Sequence, residues 1–461
     1  MSKQLATLTL IFLSLTLSNT AQALPSFARQ TGLACTACHV QAYGPSLNAL
    51  GRQFKLKGYT QGGGDEALTS RISGMVMGSL SNTKKDDPDN AERLNANGDR
   101  IYKGIATNNS NNNIALDQAS VFYGGKVFDK MGALVQLTYD GYANNFAWDN
   151  TDIRIADEAD IADHYLIYGV SFNNNPTVQD LWNTTQAWGY PYVGSNYQRS
   201  PSMSPMISSL GSQVGGASIY SLLNDTFYVE AGAYTSFAKY AQKGMGQWSQ
   251  DGTVKINGGA PYWRLALQKN WQGHYVQLGH FGMSTNIQPD VSLSTTDRFT
   301  DLGVDLNYQY LANSKHIYEF KGSYIREQQQ LNYSFPNELS NNANQQIGFL
   351  GVNGSYTFDQ TYSLSLGYNR NYGSKNSGSY FVGGDPTAPS KLNAEYFITE
   401  LDYVPFGKQA STGPASYLNL RLALQYVAFT RFDGADKNYF TGNGRSASDN
   451  NTLYFNTWLT F

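Results

Sequence analysis

The chain is poor in the residues that mark several common classes of protein. Its 461 residues include only two cysteines and five histidines, and charged residues make up 15% of the whole. The formal net charge is −3, so there is no basic surface of the kind that binds nucleic acid. After the first two dozen residues there is no long apolar run, which argues against a transmembrane helix.

Aromatic residues and glycine are abundant by contrast. The chain contains 33 tyrosines, 23 phenylalanines, 7 tryptophans and 45 glycines. Glycine together with many asparagines and serines is also found in disordered chains, but those chains have few aromatic residues. The composition therefore indicates a large folded protein.

The first 23 residues have the layout of a secretory signal peptide. Lys3 supplies a basic start, residues 5–17 form an apolar stretch, and residues 21–23 form a small-residue cleavage site. Cleavage there makes Leu24 the first residue of the mature chain. We therefore expect an exported protein and exclude residues 1–23 from the fold.

The two cysteines lie in a single motif just inside the mature chain. Cys35, Cys38 and His39 form C-x-x-C-H, the attachment motif of a c-type haem. The two thiols would form thioethers with the haem, and His39 would be the proximal ligand of its iron. The motif thus predicts one covalent haem c and an electron-transfer role.

Other interpretations of the same residues are a lone disulfide, a redox-active cysteine pair and half of a zinc site. A thioredoxin-like pair requires a βαβ context, which this sequence lacks. A structural zinc ion requires four ligands, and the remaining histidines lie far along the chain. Haem attachment is the interpretation that this elimination favours.

Most of the chain alternates apolar and polar residues with the period of a β-strand. One such segment places Leu166, Tyr168, Val170 and Phe172 on a single face. Segments of about ten residues with this pattern are typical of an outer-membrane β-barrel. The chain also ends on an aromatic strand at Phe461, similar to the assembly signal of bacterial barrels.

We predict about 16 antiparallel strands in a transmembrane β-barrel that spans residues 68–461. The strands are expected near residues 68–80, 113–127, 131–142, 150–157, 163–173, 213–221, 225–235, 261–271, 273–284, 297–310, 315–330, 345–358, 361–373, 393–405, 415–430 and 449–461. Tight links, such as residues 128–130, 222–224 and 359–360, alternate with long loops. A soluble β-sandwich would not require that alternation. The even strand number places both ends of the mature chain on the periplasmic side.

Residues 24–67 are expected to form a monohaem cytochrome c segment in or under the barrel lumen. A chain this short cannot enclose a haem alone, so it needs walls supplied from outside. A short helix with an apolar face is predicted after His39. Of its basic residues, Lys55 and Lys57 are expected to face solvent, whereas Arg52 could meet a haem propionate or solvent.

The sixth ligand of the haem iron is not present between His39 and the barrel. In the first strand, Ile72, Val76 and Leu80 mark the lipid face, which turns Met75 and Met77 into the lumen. These two methionines are the candidates for the distal ligand. The alternative is that they only pack, which is the commoner role of an inward methionine.

At this point the sequence resembles a known family, the fused monohaem cytochrome-porins of the bacterial outer membrane, whose members include iron oxidases. The residues that carry the resemblance are Phe27-Ala28-Arg29-Gln30-Thr31-Gly32, Cys35 to His39, Pro45-x-Leu47, Gly51-Arg52-x-Phe54-Lys55, Gly58-Tyr59, Asn175-Pro176-Thr177-Val178-Gln179-Asp180 and Trp182-Asn183-Thr184. The resemblance implies that Cys35, Cys38 and His39 carry the haem. It does not identify the electron donor.

The longest predicted loop, residues 174–212, contains several aromatic residues. It could fold inward and cover the haem, or it could shield the barrel rim. Its segment 183–194 is expected to be reachable by a label on intact cells.

Two functions remain open. As a redox protein, and then an enzyme of the iron-oxidase type, the chain would pass electrons from an extracellular donor, with Fe(II) the favoured one, through the haem to a soluble periplasmic cytochrome. As a porin, the barrel would conduct solutes and the haem-bearing plug would only gate or sense. In both cases the barrel lies in outer-membrane lipid.

Haem attachment is directly testable. The double variant Cys35→Ala/Cys38→Ala is expected to insert as a barrel but to carry no covalent haem, because both thioether sulfurs are removed. Peroxidase staining after denaturing electrophoresis measures the attached haem. Staining that persists in the double variant would refute the assignment.

Overall fold

The computed structural model describes residues 24–62, 67–85, 92–94, 100–102, 111–142, 144–201, 203–246, 254–289, 292–376, 391, 393–408, 418–437 and 445–461. The expected signal peptide, residues 1–23, lies outside the described residues. All five histidines and both cysteines lie within them.

Helices are few and short in the described part of the chain. They are α1 (Pro25–Thr31), α2 (Ala49–Leu56) and α3 (Lys239–Gly244), with 3-10 turns at Cys35–Ala37, Leu68–Arg71, Gln186–Trp188, Met206–Ser208 and Ala447–Asn450. Helix α1 starts with Pro25 in its first turn and ends at Gly32 in the left-handed conformation, as is common for helix termini. No helix among these residues is long and apolar enough to cross a membrane.

The rest of the described chain is dominated by antiparallel strands. They are β1 (Ile72–Thr83), β2 (Glu92–Leu94), β3 (Arg100–Tyr102), β4 (Asn111–Phe128), β5 (Met131–Asp140), β6 (Asn145–Ile161), β7 (His164–Asn173), β8 (Val214–Leu223), β9 (Phe227–Ser236), β10 (Ala260–Trp271), β11 (His274–Ile287), β12 (Asp297–Tyr310), β13 (His316–Gln330), β14 (Asn344–Phe358), β15 (Tyr362–Gly373), β16 (Ala394–Tyr403), β17 (Asn419–Arg431) and β18 (Thr452–Thr460).

Sixteen of these strands form one closed barrel. Each strand pairs with its neighbour in the chain, and β1 closes the ring by pairing with both β18 and β4, while β2 and β3 form a separate hairpin. The closing register places Met75 opposite Thr460 and Thr83 opposite Thr452. The predicted fold class and strand number are therefore confirmed, including a strand over residues 145–161.

Side chains alternate between the lumen and the outer surface, as the strand period requires. In β1, Ile72 is 43% exposed on the outside, whereas Met75 is 4% exposed on the inside. Leu278, at 57%, is typical of the leucines and valines that cover the outer face of the other strands. The expected direction of Met75 and Met77 into the lumen agrees with the observed pattern.

Aromatic rings form a belt around the outside near the end where the strands are joined by short turns. Neighbouring rings lie 5.0–6.2 Å apart between centroids over much of its length. Its members from β10 to β16 are Trp271, His274, Tyr308, Tyr310, His316, Tyr318, Tyr356, Phe358, Tyr362 and Tyr403. An apolar band bordered by aromatic rings marks the membrane boundary of an outer-membrane barrel.

Apart from residues 404–418 between β16 and β17, short turns join the strands at one end of the barrel, which we call the turn end, and mostly long loops join them at the other, the loop end. Four turns have two consecutive residues with positive φ, the geometry of a tight hairpin: residues 162–163, 224–225, 272–273 and 359–360. The tight links predicted from the sequence are confirmed to within two residues. At the loop end, β5 ends at Asp140 and β6 begins at Asn145, whereas β7 ends at Asn173 and β8 begins at Val214.

The end of the chain lies at the turn end. Phe461 extends the pairing of β18, since its N–H donates to Gly74 O at 3.0 Å and its carbonyl accepts from Gly74 N at 2.8 Å. The N-terminal segment is also held there, where Ala42 N donates to Gln360 O. The N-terminal segment and Phe461 therefore lie at the same end of the barrel.

Loop length predicts that the turn end faces the periplasm, because barrels of this class keep their short turns there. An epitope tag inserted after Asn337, in loop 331–343, is expected to be labelled by antibody on intact cells. The same tag after Asp163, in a tight turn, should be labelled only after permeabilisation. Labelling of the Asp163 insertion on intact cells would invert the topology.

Candidate functional site

The C-x-x-C-H motif lies inside the barrel as one tight turn that leads into helix α2. His39 N donates to Cys35 O at 2.9 Å, and Cys38 N donates to the same oxygen at 3.1 Å. Asn48 caps α2 with its side chain, which accepts from Leu50 N and Gly51 N. Its backbone N–H donates to Cys38 O at 2.9 Å, so the motif and the helix form one unit.

Gly51 is required where α2 crosses the motif. A Cβ atom at this position would lie 2.3 Å from the carbonyl oxygen of Cys38 and 3.0 Å from Leu47 Cδ2. The close approach of helix to motif is therefore possible only without a side chain at residue 51. This accounts physically for one of the glycines in the stretch that carries the family resemblance.

The barrel wall fixes the position of the motif. Thr36 N donates to Gly407 O at 3.2 Å, in the segment that joins β16 and β17. Asn419 at the start of β17 donates through Nδ2 to Ala42 O at 3.0 Å, and the same group lies 3.5 Å from Cys35 Sγ. The segment thus occupies the lumen near the turn end, as the sequence predicted for it.

Cys35, Cys38 and His39 line a cavity of about 360 Å³ between the N-terminal segment and the barrel wall. We call it the inner cavity. This volume lies within the range of about 300–1,000 Å³ that is usual for cofactor and small-molecule sites. Its wall is mainly apolar and aromatic, and includes Phe27, Tyr43, Phe54, Tyr59, Met75, Met77, Phe122, Leu134, Trp188 and Trp458.

Burial keeps the ionisable groups of the motif uncharged at neutral pH. Desolvation lowers the pKa of His39 to about 4. A hydrogen bond with the Gly44 backbone acts in the opposite direction. It raises the pKa of Cys38 to about 11 and that of Cys35 well above its usual value. The two thiols are free rather than joined in a disulfide. A neutral imidazole can bind a metal without first losing a proton.

These features fit the donor set of haem c. Two free thiols and one imidazole face an apolar space large enough for a cofactor, and Met75 and Met77 line the same space. The other histidines do not reach it: His164, His274, His280 and His316 bond to neighbours on the outer surface. Zinc fits poorly, because no cluster of three or more His, Cys, Asp or Glu residues occurs in the described residues.

The segment joining β7 and β8, residues 174–213, folds into the lumen and covers the inner cavity. We call it the constriction loop. Asn183, Trp188 and Tyr192 from this loop line the cavity. Asn183, Thr184 and Thr185 are buried, residues 186–193 are half-buried and Gly194 is exposed, so the labelling of a tag in segment 183–194 stays a prediction. Of the two arrangements considered for this loop, the inward one is observed.

Lys55 links the constriction loop to the N-terminal segment. Its ammonium donates to Val178 O at 2.8 Å, Asp180 O at 2.5 Å and Asn183 Oδ1 at 3.2 Å. Burial lowers the pKa of Lys55 to about 7. The charge of Arg154 acts in the same direction, and the carboxylates of Asp152, Asp180 and Glu230 oppose it. Three acceptors nevertheless require three N–H donors, which only the charged form provides.

The predicted environments of the basic residues on α2 need correction. Lys55 is buried rather than solvent-exposed, because the constriction loop covers it. Arg52 is also buried: it donates to Leu47 O and Gln309 Oε1 and stacks on the Tyr275 ring at 3.6 Å. Only Lys57 lies near the surface, paired with Glu158.

Asp180 organises the constriction loop, and reasoning from the sequence did not assign it a role. Its carboxylate accepts from the backbone N–H groups of Trp182, Thr184 and Thr185 at 3.0–3.1 Å. Arg264 of β10 approaches it at 3.1 Å and also pairs with Asp305 of β12 at 2.7 Å. The sequence signal that could have pointed to this interaction is Arg264, a charged residue at an inward-facing position of β10, next to the outward-facing Leu265.

Comparisons with known proteins concern the barrel. No family model and no curated protein sequence matches the chain. Among solved structures, the chain is similar to an anion-selective porin from Comamonas acidovorans, with 10% identity, a TM-score of 0.44 and coverage of 84% of this chain and 98% of that one. It is also similar to OmpF of Salmonella typhi (13%, TM-score 0.44, 85% and 97%) and to OprB of Pseudomonas putida (12%, TM-score 0.42, 86% and 95%). At this level of identity the similarity does not extend to function.

The close approach of α2 to the motif generates a prediction. Gly51→Ala is expected to force the helix away from Cys38 at a cost of about 1–3 kcal/mol, as is usual for overpacking. Less covalent haem per folded barrel should result, as measured by peroxidase staining against total protein. Gly194→Ala is the matched control, since a Cβ there meets no atom within 4 Å. Equal haem content in the two variants would contradict this role of Gly51.

Proposed function

We propose that the chain is an outer-membrane electron-transfer protein of the iron-oxidase type, with one haem c attached to Cys35 and Cys38 and ligated by His39. Its electrons would come from an extracellular donor, with Fe(II) the favoured one, and would leave to a soluble periplasmic cytochrome. Each Fe(II) gives up one electron and becomes Fe(III), and each electron reduces one acceptor. Oxidation outside the cell keeps insoluble ferric iron out of the periplasm.

One observation carries the proposal: both cysteines and His39 converge on a single apolar cavity inside the barrel. When bound there, haem c supplies a one-electron iron couple whose potential depends on its axial ligands and its surroundings. The chain's own residues hold His39 in place through the α2 turn and exclude water with aromatic side chains. Met75 and Met77, both buried on the cavity wall, are the candidates for a distal thioether ligand.

The arrangement of the lumen bears on where a donor and an acceptor can approach. Leu33, which lines the inner cavity, is 39% exposed, so a periplasmic acceptor can come close to the cavity at that point. On the other side, the constriction loop lies between the inner cavity and the loop end. An electron donor from outside therefore has to enter the lumen as far as this loop.

The diffusion porin is the alternative function. Sixteen strands leave a lumen wide enough for water in ordinary porins. Here the lumen contains both the N-terminal segment and the constriction loop, which Lys55 joins through three hydrogen bonds. Because these contacts cross the lumen, solute diffusion explains less of the structure than electron transfer does.

The decisive measurement uses haem-loaded protein inserted into sealed vesicles with its loop end outward. Fe(II) supplied only outside is expected to reduce the haem, as followed by its absorbance. Met75→Ala or Met77→Ala, whichever removes the distal thioether, should leave haem attachment intact and lower its potential, since a methionine ligand raises it.

Several outcomes would count against parts of the proposal. Wild-type haem that Fe(II) cannot reduce would eliminate iron as the donor. An unchanged potential in both methionine variants would eliminate thioether ligation. If the chain is a porin with an incidental haem, every variant should conduct solutes equally well, and external Fe(II) should not reduce the haem.

A further inference from the structure

Strand β6 contains a β-bulge beside the inner cavity. The pairing of β5 with β6 shifts between Val135 and Leu137, so that Asp149 and Asn150 together stand opposite Gln136. Consecutive residues of a regular strand point to opposite faces of the sheet, whereas a bulge redirects them. Asp149 and Asn150 accordingly both line the inner cavity.

The first residues of the constriction loop hold this bulge in place. Asn174 donates through Nδ2 to Asp149 O at 2.5 Å and accepts through Oδ1 from Thr151 N at 2.7 Å. Asn175 Nδ2 donates to Asn150 Oδ1 at 2.9 Å. These contacts fix the backbone that carries the Asp149 carboxyl group, so this group keeps its place at the cavity wall.

Asp149 is the only aspartate or glutamate among the described residues that line the inner cavity. Its Oδ2 accepts from Thr138 Oγ1 at 3.1 Å, and the neighbouring Asp140 carboxylate acts on it with a charge of the same sign. Lys55, the other charged residue of the lining, donates to the constriction loop instead. The lining residues from β1, β4 and β5 carry no charge. Among the described residues, the Asp149 carboxylate thus has no cationic partner of its own.

A charge inside the inner cavity therefore acts on this carboxyl group. Electrostatic interactions are weakly screened in an apolar space surrounded by aromatic side chains. When a haem c attached to Cys35 and Cys38 is reduced, its iron changes from Fe(III) to Fe(II) and one positive charge is removed. The more positive state favours ionised Asp149, and the less positive state favours its protonated form.

We propose that Asp149 is a redox-linked proton site, which binds a proton when the haem in the inner cavity is reduced and releases it when the haem is oxidised. The electron comes from the donor and the proton from water in the lumen. On oxidation, the electron passes to the periplasmic acceptor and the proton returns to water. This inference rests on the haem attachment proposed above, but it does not depend on Fe(II) as the donor.

Spectroelectrochemical titration of the purified, haem-loaded protein at several pH values tests the site. The wild-type potential is expected to fall as pH rises, because ionised Asp149 stabilises the ferric haem. One proton bound per electron corresponds to about 59 mV for each tenfold change in proton concentration, and weaker coupling gives less.

Three variants separate the charge of Asp149 from its shape. Asp149→Asn removes the titrating group and should give a potential that no longer changes with pH, close to the acid limit of the wild type. Asp149→Glu keeps a carboxyl group and should retain the dependence. Asp160→Asn, the matched control, makes the same change at an exposed position of the same strand and should behave as the wild type does. An unchanged haem spectrum shows that each variant keeps its fold.

The outcomes distinguish this inference from the function proposed above. A wild-type potential that is independent of pH refutes proton coupling, and a dependence that persists in Asp149→Asn assigns it to another group, such as the haem carboxylates. An electrode supplies the electrons, so failure of Fe(II) to reduce the haem would refute iron as the donor without affecting the result for Asp149. Wild-type protein without covalent haem would refute both.

Discussion

The structure depends on the closure of one sheet. Backbone N–H and C=O groups cannot be left unpaired in hydrocarbon, so a membrane-spanning sheet must have no free edge. The pairing of β1 with β18 meets this requirement, and Phe461 extends it to the last residue. Closure also creates an interior. A segment of about forty residues that cannot build a core of its own obtains its walls from the inside of the barrel.

Charged groups inside the lumen bind its contents together. Arg264 meets Asp180 of the constriction loop and Asp305 of the wall, while Lys55 of the N-terminal segment meets the backbone of the same loop. All of these groups are buried, so each charge depends on its partner or its hydrogen bonds for compensation. Removing one of them would leave another unpaired in a dry interior. The N-terminal segment, constriction loop and wall therefore behave as a single packed unit.

The sequence was sufficient to predict the barrel and the location of the motif, since both depend on local patterns. The strand period, the tight turns and the C-x-x-C-H spacing can each be recognised from a few neighbouring residues. The burial of Lys55 could not be predicted from its neighbours in the sequence. It depends on a loop more than a hundred residues away that folds into the lumen, and the inward arrangement of that loop rests on Asp180 and Arg264. A basic residue on a short helix looks solvent-exposed until the element that covers it is known.

The burial of the C-x-x-C-H turn has a consequence for the order of biosynthesis. Cys35 is only 3% exposed, and its neighbours come from strands as late in the chain as β17. An enzyme that modifies the thiols could not reach them once those strands had closed around the segment. Any covalent group on Cys35 and Cys38 must accordingly be attached before the barrel strands close around the N-terminal segment.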